Sequence, residues 1–202
     1  MKSVSARHLI RQHLHPSHDS AALTGDFAVA GMEREQRVLM PAAVLIPLVD
    51  RPEGLTVLLT RRTDHLIHHP GQVSFPGGRT EEHDAGPVET ALREAEEEIG
   101  LHRRHVEIAG FMDLYQTVTG FLVTPVVGFI KPPFELVPDP FEVAEVFEVP
   151  LSYVLDPKNH ERRSMIFNDR ERYFYVLPYK NYYIWGATAA MLVNLSKKLH
   201  GE

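Results

Sequence analysis

The segment from Pro87 to Leu101 constrains this chain more than any other. Pro87 suits the first turn of a helix, Ala91, Leu92 and Ala95 are good helix formers, and Gly100 is a natural stop. Residues three and four apart share a helix face. Glu94, Glu97 and Glu98 are therefore expected to project together, while Ala91, Ala95 and Ile99 turn toward a core. Like charges at that spacing cost about 0.2–0.5 kcal/mol per pair on an exposed helix, and more when partly buried. A divalent cation reverses the sign of that cost. Oxygen-only ligation suits Mg²⁺ or Mn²⁺, and Mg²⁺ keeps positions open for water and substrate phosphates. A glutamate-rich face is equally compatible with plain solvation, so the surroundings of the helix decide.

The preceding loop favours the metal. Phe75-Pro76-Gly77-Gly78 is a tight, side-chain-poor bend whose backbone amides can approach phosphate oxygens, and Arg61, Arg62 and Arg79 bring cations to the same neighbourhood. The chain has no cysteine, which removes disulfides, thiolate metal sites and a cysteine nucleophile and leaves oxygen and imidazole groups for any chemistry. His65, His68 and His69 cluster without a fourth ligand at zinc spacing, so they read as loop histidines.

The remainder reads as strands. Ala42–Val49 and Leu55–Thr60 bracket the turn-forming Asp50–Gly54 and form a hairpin, and Val73–Phe75 is a brief strand. Val106–Met112, Leu122–Ile130, Glu142–Val149, Met165–Phe167, Tyr173–Leu177 and Tyr182–Trp185 follow as strands or edge segments, and Ala187–Leu199 as an amphipathic helix. Within Met1–His18 a helix is expected, and Gly25–Gln36 reads as a linker. The expected organisation is thus an N-terminal helix and linker over residues 1–36 and one α+β domain over 37–199. A chain of 202 residues with 44% hydrophobic and 24% charged residues is long enough to bury one such core. No apolar run approaches the roughly 20 residues that span a bilayer, so no membrane association and a soluble, cytoplasmic protein are expected. With a net charge of −6, nucleic acid is not an expected partner, since backbone binding needs a basic face.

These residues resemble the Nudix hydrolase family. Its box runs Gly, five residues, Glu, seven residues, then Arg-Glu-U-x-Glu-Glu-x-Gly-U, with U bulky and apolar. Gly78 opens it here, and Arg93-Glu94-Ala95-Glu96-Glu97-Glu98-Ile99-Gly100-Leu101 matches its second half, with small Ala95 at the first U. The acidic place holds Asp84, followed by eight residues before Arg93, a departure usual in the coenzyme A branch of the family. The signature of that branch is similar to Leu58-Leu59-Thr60-Arg61-Arg62, Thr63, Gly71 and Phe75-Pro76-Gly77-Gly78, with Ile67 where an Arg is expected. Gln116–Phe121, Glu142–Phe147 and Ile184–Ala189 also resemble bacterial members, so the likeness spans roughly Arg37 to Leu199.

The resemblance implies an α/β/α sandwich with a mixed sheet, a catalytic helix mid-chain and a C-terminal helix. It implies water attack on the diphosphate of coenzyme A or its derivatives, dependent on Mg²⁺ or Mn²⁺, in a monomer or homodimer. Another conjugate such as ADP-ribose is the alternative substrate, and a noncatalytic nucleotide sensor the alternative class. Glu94 and Glu98 are expected metal ligands, with Glu97 either a third ligand or the general base and Glu145 the runner-up base. Arg93 is expected to orient the glutamates. Arg62, Gly71, Phe75, Gly77, Gly78 and Arg79 are expected at the substrate, and Phe121 and Tyr115 either stack on adenine or pack in the core.

Overall fold

The computed structural model describes residues 3–34, 38–167 and 170–201. The sequence-predicted ends that fall on residues 1, 2 and 35–37 lie outside them. The fold is built on β2 (Met40–Arg51) and β8 (Phe121–Ile130), which pair in parallel from Met40↔Phe121 to Val49↔Ile130. β2 is apolar almost throughout because both of its faces are covered. Ala43, Leu45 and Val49 face one core cluster and Ala42, Ile46 and Leu48 the other, all nearly or fully excluded from solvent.

Seven more strands complete the mixed sheet: β1 (Leu23–Gly25), β3 (Gly54–Arg62), β4 (Val73–Ser74), β5 (Gly77–Arg79), β6 (Val106–Phe111), β7 (Leu114–Gln116) and β9 (Val143–Pro150). The order is β1-β7-β8-β2-β3-β4, with β5 on β2, β6 on β8 and β9 on β3. A second, antiparallel sheet holds β10 (Glu161–Phe167), β11 (Arg170–Tyr179) and β12 (Tyr182–Trp185).

Helix α3 (Pro87–Ile99) covers one face of the large sheet through Ala91, Ala95 and Ile99, all fully buried. α5 (Gly186–His200) covers the other, together with α1 (Ser3–His13) and α4 (Leu151–Leu155). The two alanines let α3 lie close to the sheet. Gly100 ends it in the left-handed conformation at φ 65°, where a Cβ would sit 2.9 Å from the Val137 backbone nitrogen. This is the expected α+β architecture.

The expected linker Gly25–Gln36 is a correction. Its described part closes β1 with Gly25 and then forms α2 (Asp26–Ala30). Asp26 accepts hydrogen bonds from Tyr115 Oη at 2.6 Å and the Val118 amide at 2.8 Å, and a Cβ on Gly25 would lie 2.3 Å from Gln116 O. These ties are all to residues distant in sequence, so the local polar composition looked like a connector. α1 packs in the same way: Ile10 is 2% exposed within the α5-side core, and the Arg7 guanidinium lies 4.4 Å from the Phe129 ring centroid.

Replacing Ile10 with Ala should therefore lower the unfolding free energy by about 2–4 kcal/mol in urea titrations with one transition. An unchanged midpoint would show α1 standing outside the cooperative unit.

Candidate active site

The pairing of β5 with β2, Ala43↔Gly78 and Val44↔Gly77, lays bare backbone beside α3. A side chain at Gly77 would collide with the β2 backbone, and one at Gly78 would displace the Glu94 carboxyl. A Cβ on Gly77 would sit 2.5 Å from Ala43 O, and one on Gly78 within 2.4–2.7 Å of the three carboxyl atoms of Glu94. Glu98 lies under the same strand, 6% exposed, and Gly77 N–H donates to its Oε2 at 3.3 Å. The sequence therefore sets two glutamates one helical turn apart against a strand bare of side chains.

Burial pushes the Glu98 carboxyl up to about 8, with the charges of Glu94 and Glu142 adding to the effect while Gly77 N–H and the Arg62 cation oppose it. Burial also raises Glu94, against the Arg93 cation. Arg62 contributes more than charge: its Nε is buried and has no hydrogen-bond partner. Crowded carboxylates that hold protons above their ordinary range, beside an unspent guanidinium N–H, suit a hard divalent cation that meets an anionic ligand. Among the described residues no three acidic or histidine side chains are already gathered around a common point.

Arg93 is held on several sides. Its Nε and Nη2 fork onto both oxygens of Asp84 at 3.0 and 3.1 Å, Nη2 also donates to Arg79 O at 3.0 Å, and Nη1 reaches Glu94 at 3.0 Å and Glu97 at 2.9 Å. The Asp84 side chain is fully buried, and the Arg93 hydrogen bonds hold its carboxyl well below the usual range. Asp84 also accepts from Thr90 Oγ1 and the Glu81 amide, each at 2.9 Å, so its oxygens are spent on structure. Arg93 thereby ties Asp84 to Glu94 and Glu97.

The NUDIX domain family model matches residues 39–168, more than half of the chain. The chain belongs to the Nudix family. Among its relatives, the uncharacterized Nudix hydrolase NudL of Enterobacter sp. strain 638 is 40% identical over 168 residues, covering 83% of this chain and 87% of that one. The protein of the same name in Escherichia coli strain K12 is 40% identical over 159 residues, covering 78% and 82%. A crystal structure of the Mycobacterium smegmatis Nudix hydrolase RenU is 26% identical over 57% of this chain and 73% of that chain, with a TM-score of 0.46. The protein is a Nudix hydrolase, and Nudix hydrolases use divalent metal ions on nucleotide conjugates.

The expected site residues divide. Glu94, Glu98, Gly77, Gly78 and Arg62 come together. Glu97 stands on the solvent side with its side chain 59% exposed, bonded to Arg93. Arg79 extends over the Phe121 ring, its guanidinium carbon 5.3 Å from the centroid. Phe75 is a correction: its side chain is 2% exposed in the α5-side core and contributes packing. Gly71 borders a cavity on the α5 side of β3. Glu145 is on that side too, paired across the strands with Arg61, and accepts a hydrogen bond from Tyr182 Oη. Tyr115 is fully buried against Asp26, and His65 packs on Phe141 with ring centroids 4.8 Å apart.

Sequence reasoning missed Glu142 as a contributor to the carboxylate field. The ladder between β3 and β9 shifts register between Arg61 and Arg62, from Arg61↔Glu145 to Arg62↔Val143, and the irregularity brings the start of β9 beside Arg62. The quoted Glu142–Phe147 run was a signal, but a register shift leaves no mark in hydropathy.

Because folded Glu98 binds its proton up to about pH 8 and an ordinary glutamate only up to 4.5, its ionisation costs stability as pH rises between those values. In a chelator, Glu98→Gln should be more stable than the parent at pH about 8 by on the order of 2–4 kcal/mol, with little difference at pH about 4. Thermal melts at both pH values check this, and a variant less stable at the higher pH would contradict it.

Proposed function

We propose that the protein hydrolyses the diphosphate linkage of coenzyme A or its acyl derivatives, giving adenosine 3',5'-bisphosphate and (acyl)phosphopantetheine. The observation that carries the reading is the pair Glu94 and Glu98 packed on Gly77 and Gly78 with the unpaired Nε of Arg62 beside them. Glu94 and Glu98 would hold Mg²⁺ or Mn²⁺, with Glu142 adding negative potential. Bound there, the ion supplies charge neutralisation for the diphosphate oxygens and a lowered pKa for water.

The chain's own groups do the rest. Arg62 has a donor free for a phosphate oxygen, and in-line hydrolysis needs that oxygen fixed while a water oxygen bonds to phosphorus and the bridging P–O bond breaks. Glu97, open to solvent and steadied by Arg93, is the carboxylate we assign to the water's proton. Arg93 stays out of contact with substrate, since its donors are taken up by Asp84, Glu94, Glu97 and Arg79 O. The choice of coenzyme A is supported by the Leu58–Gly78 signature and by Asp84 with its longer spacing to Arg93. Among the described residues no helix is long and apolar enough to cross a membrane. We place the activity in the cytoplasm, where such conjugates are dissolved.

Incubation with Mg²⁺ or Mn²⁺ and a panel of coenzyme A, acyl-coenzyme A, ADP-ribose, NADH and dNTPs, with products weighed by mass spectrometry, tests this. Coenzyme A should yield the two named products, and Glu98→Gln should lower that turnover by about 100-fold or more. Cleavage of ADP-ribose with coenzyme A untouched would replace the substrate, and full turnover in the variant would remove Glu98 from the site.

A further inference from the structure

Arg61 and Arg62 leave β3 on opposite faces, as neighbours in a strand do. Arg62 turns to the glutamates. Arg61 turns to the α5 side, where it lines a cavity of about 360 Å³, a size within the range of small-molecule sites. One wall is the loop at His69, Gly71 and Gln72, and the other is the end of β12 with the Lys180–Asn181 turn before it.

The chemistry of this lining is specific. Tyr183 and Trp185 alternate onto one face of β12 and present aromatic surface. Gln72 and Asn181 bring side-chain amides, which donate and accept in one plane. The Gln72 amide lies beside Gly186, its Nε2 at van der Waals distance, 3.6 Å, from where a Cβ would be. Arg61 keeps its donors within reach of a ligand: its ion-pair distances to Glu145 and Asp64 are 3.6 and 3.7 Å, longer than hydrogen bonds.

Backbone conformation is unusual in one wall. Among the described residues, the non-glycine residues at positive φ are His69, at 56°, and Lys180, at 52°. His69 belongs to one wall, whereas Lys180 stands in the two-residue turn that joins β11 to β12, where a positive φ is ordinary hairpin geometry. The His69 conformation costs on the order of 1 kcal/mol and persists because the surrounding structure holds it.

We propose that this cavity is a nucleotide-binding site, with a purine ring against Trp185 and Tyr183, its nitrogen edge met by Gln72 and Asn181, and a phosphate met by Arg61. Planar amides pair with the edge of adenine, aromatic side chains take its face, and a guanidinium takes its phosphate. The nucleotide is either the adenosine half of a conjugate reaching around the end of β3 or a separate molecule. The proposal stands independently of which diphosphate is hydrolysed.

Trp185 is the sole tryptophan, so it reports on the site directly. Its fluorescence is titrated with AMP in the presence of a chelator, which stops turnover, with ribose 5-phosphate as the probe lacking a base. AMP should quench saturably and ribose 5-phosphate should not. The Gln72→Ala, Asn181→Ala double variant, whose melting is measured alongside, should weaken AMP by about tenfold or more while remaining folded. Intact coenzyme A added in chelator identifies the source: displacement of AMP assigns the cavity to the substrate's nucleotide half, and binding without displacement assigns it to a separate nucleotide. Absence of saturable quenching, or quenching undiminished in the folded double variant, overturns the proposal. If the double variant unfolds, Asn181→Ala alone, at an exposed turn, gives the same reading. Since no turnover is measured, a failure of coenzyme A hydrolysis leaves this result distinct.

Discussion

Two like charges in a corner short of water are the constraint around which this molecule is arranged. Glu98 is almost wholly buried and Glu94 sits against Gly78, so neither carboxylate is solvated well enough to ionise at its ordinary pH. A fold normally avoids this. Here the alanines of α3 and the glycines of β5 remove the side chains that would hold the helix away from the strand, and the carboxylates are pressed together as a result. The arrangement is unfavourable alone, and in the proposed function a cation and a phosphate would relieve it.

Glu94 is held in place by Arg93. A guanidinium forked onto a buried carboxylate is rigid in a way that a lysine is not. Asp84 supplies that carboxylate from the loop before α3, and Arg93 reaches from it to Glu94 and Glu97. The longer spacing between Asp84 and the second half of the Nudix box thus has a structural meaning. The acidic residue serves as the anchor of the arginine, and its place in the loop follows from the reach of that side chain.

Much of this was legible in the residues. α3 announced its start, its stop and its glutamate spacing, and the long buried strands announced themselves as apolar runs. What escaped notice depends on contacts distant in sequence. β1 is three residues long and is a strand because Leu23–Gly25 lies beside Leu114–Gln116. The Gly77–Gly78 bend is a strand because β2 offers it a ladder. Phe75 read as a ligand for its company in the signature, whereas its ring faces the α5-side core. Glu97 and Glu98 adjoin on the helix, yet one is solvated and the other buried, because the position of β5 over the helix decides exposure and helical spacing cannot.

The Arg61–Arg62 pair carries the last step. Adjacent cations in a sequence read as one basic patch, but alternation along β3 sends them to opposite faces, one toward Glu98 and the other toward Glu145 and the aromatic cavity. The loop that follows returns through Gln72, whose carbonyl accepts the Arg62 amide, and then reaches Gly77 under Glu98 within a few residues. A single stretch of chain therefore shapes both places. A glycine at position 71 serves the cavity wall, where a Cβ would come within 2.7 Å of Asp64 Oδ1, and a glycine at position 77 serves the carboxylates. Residues that stand together in one motif are in this way divided between two faces of a sheet, and their common spacing records the path of the backbone between them.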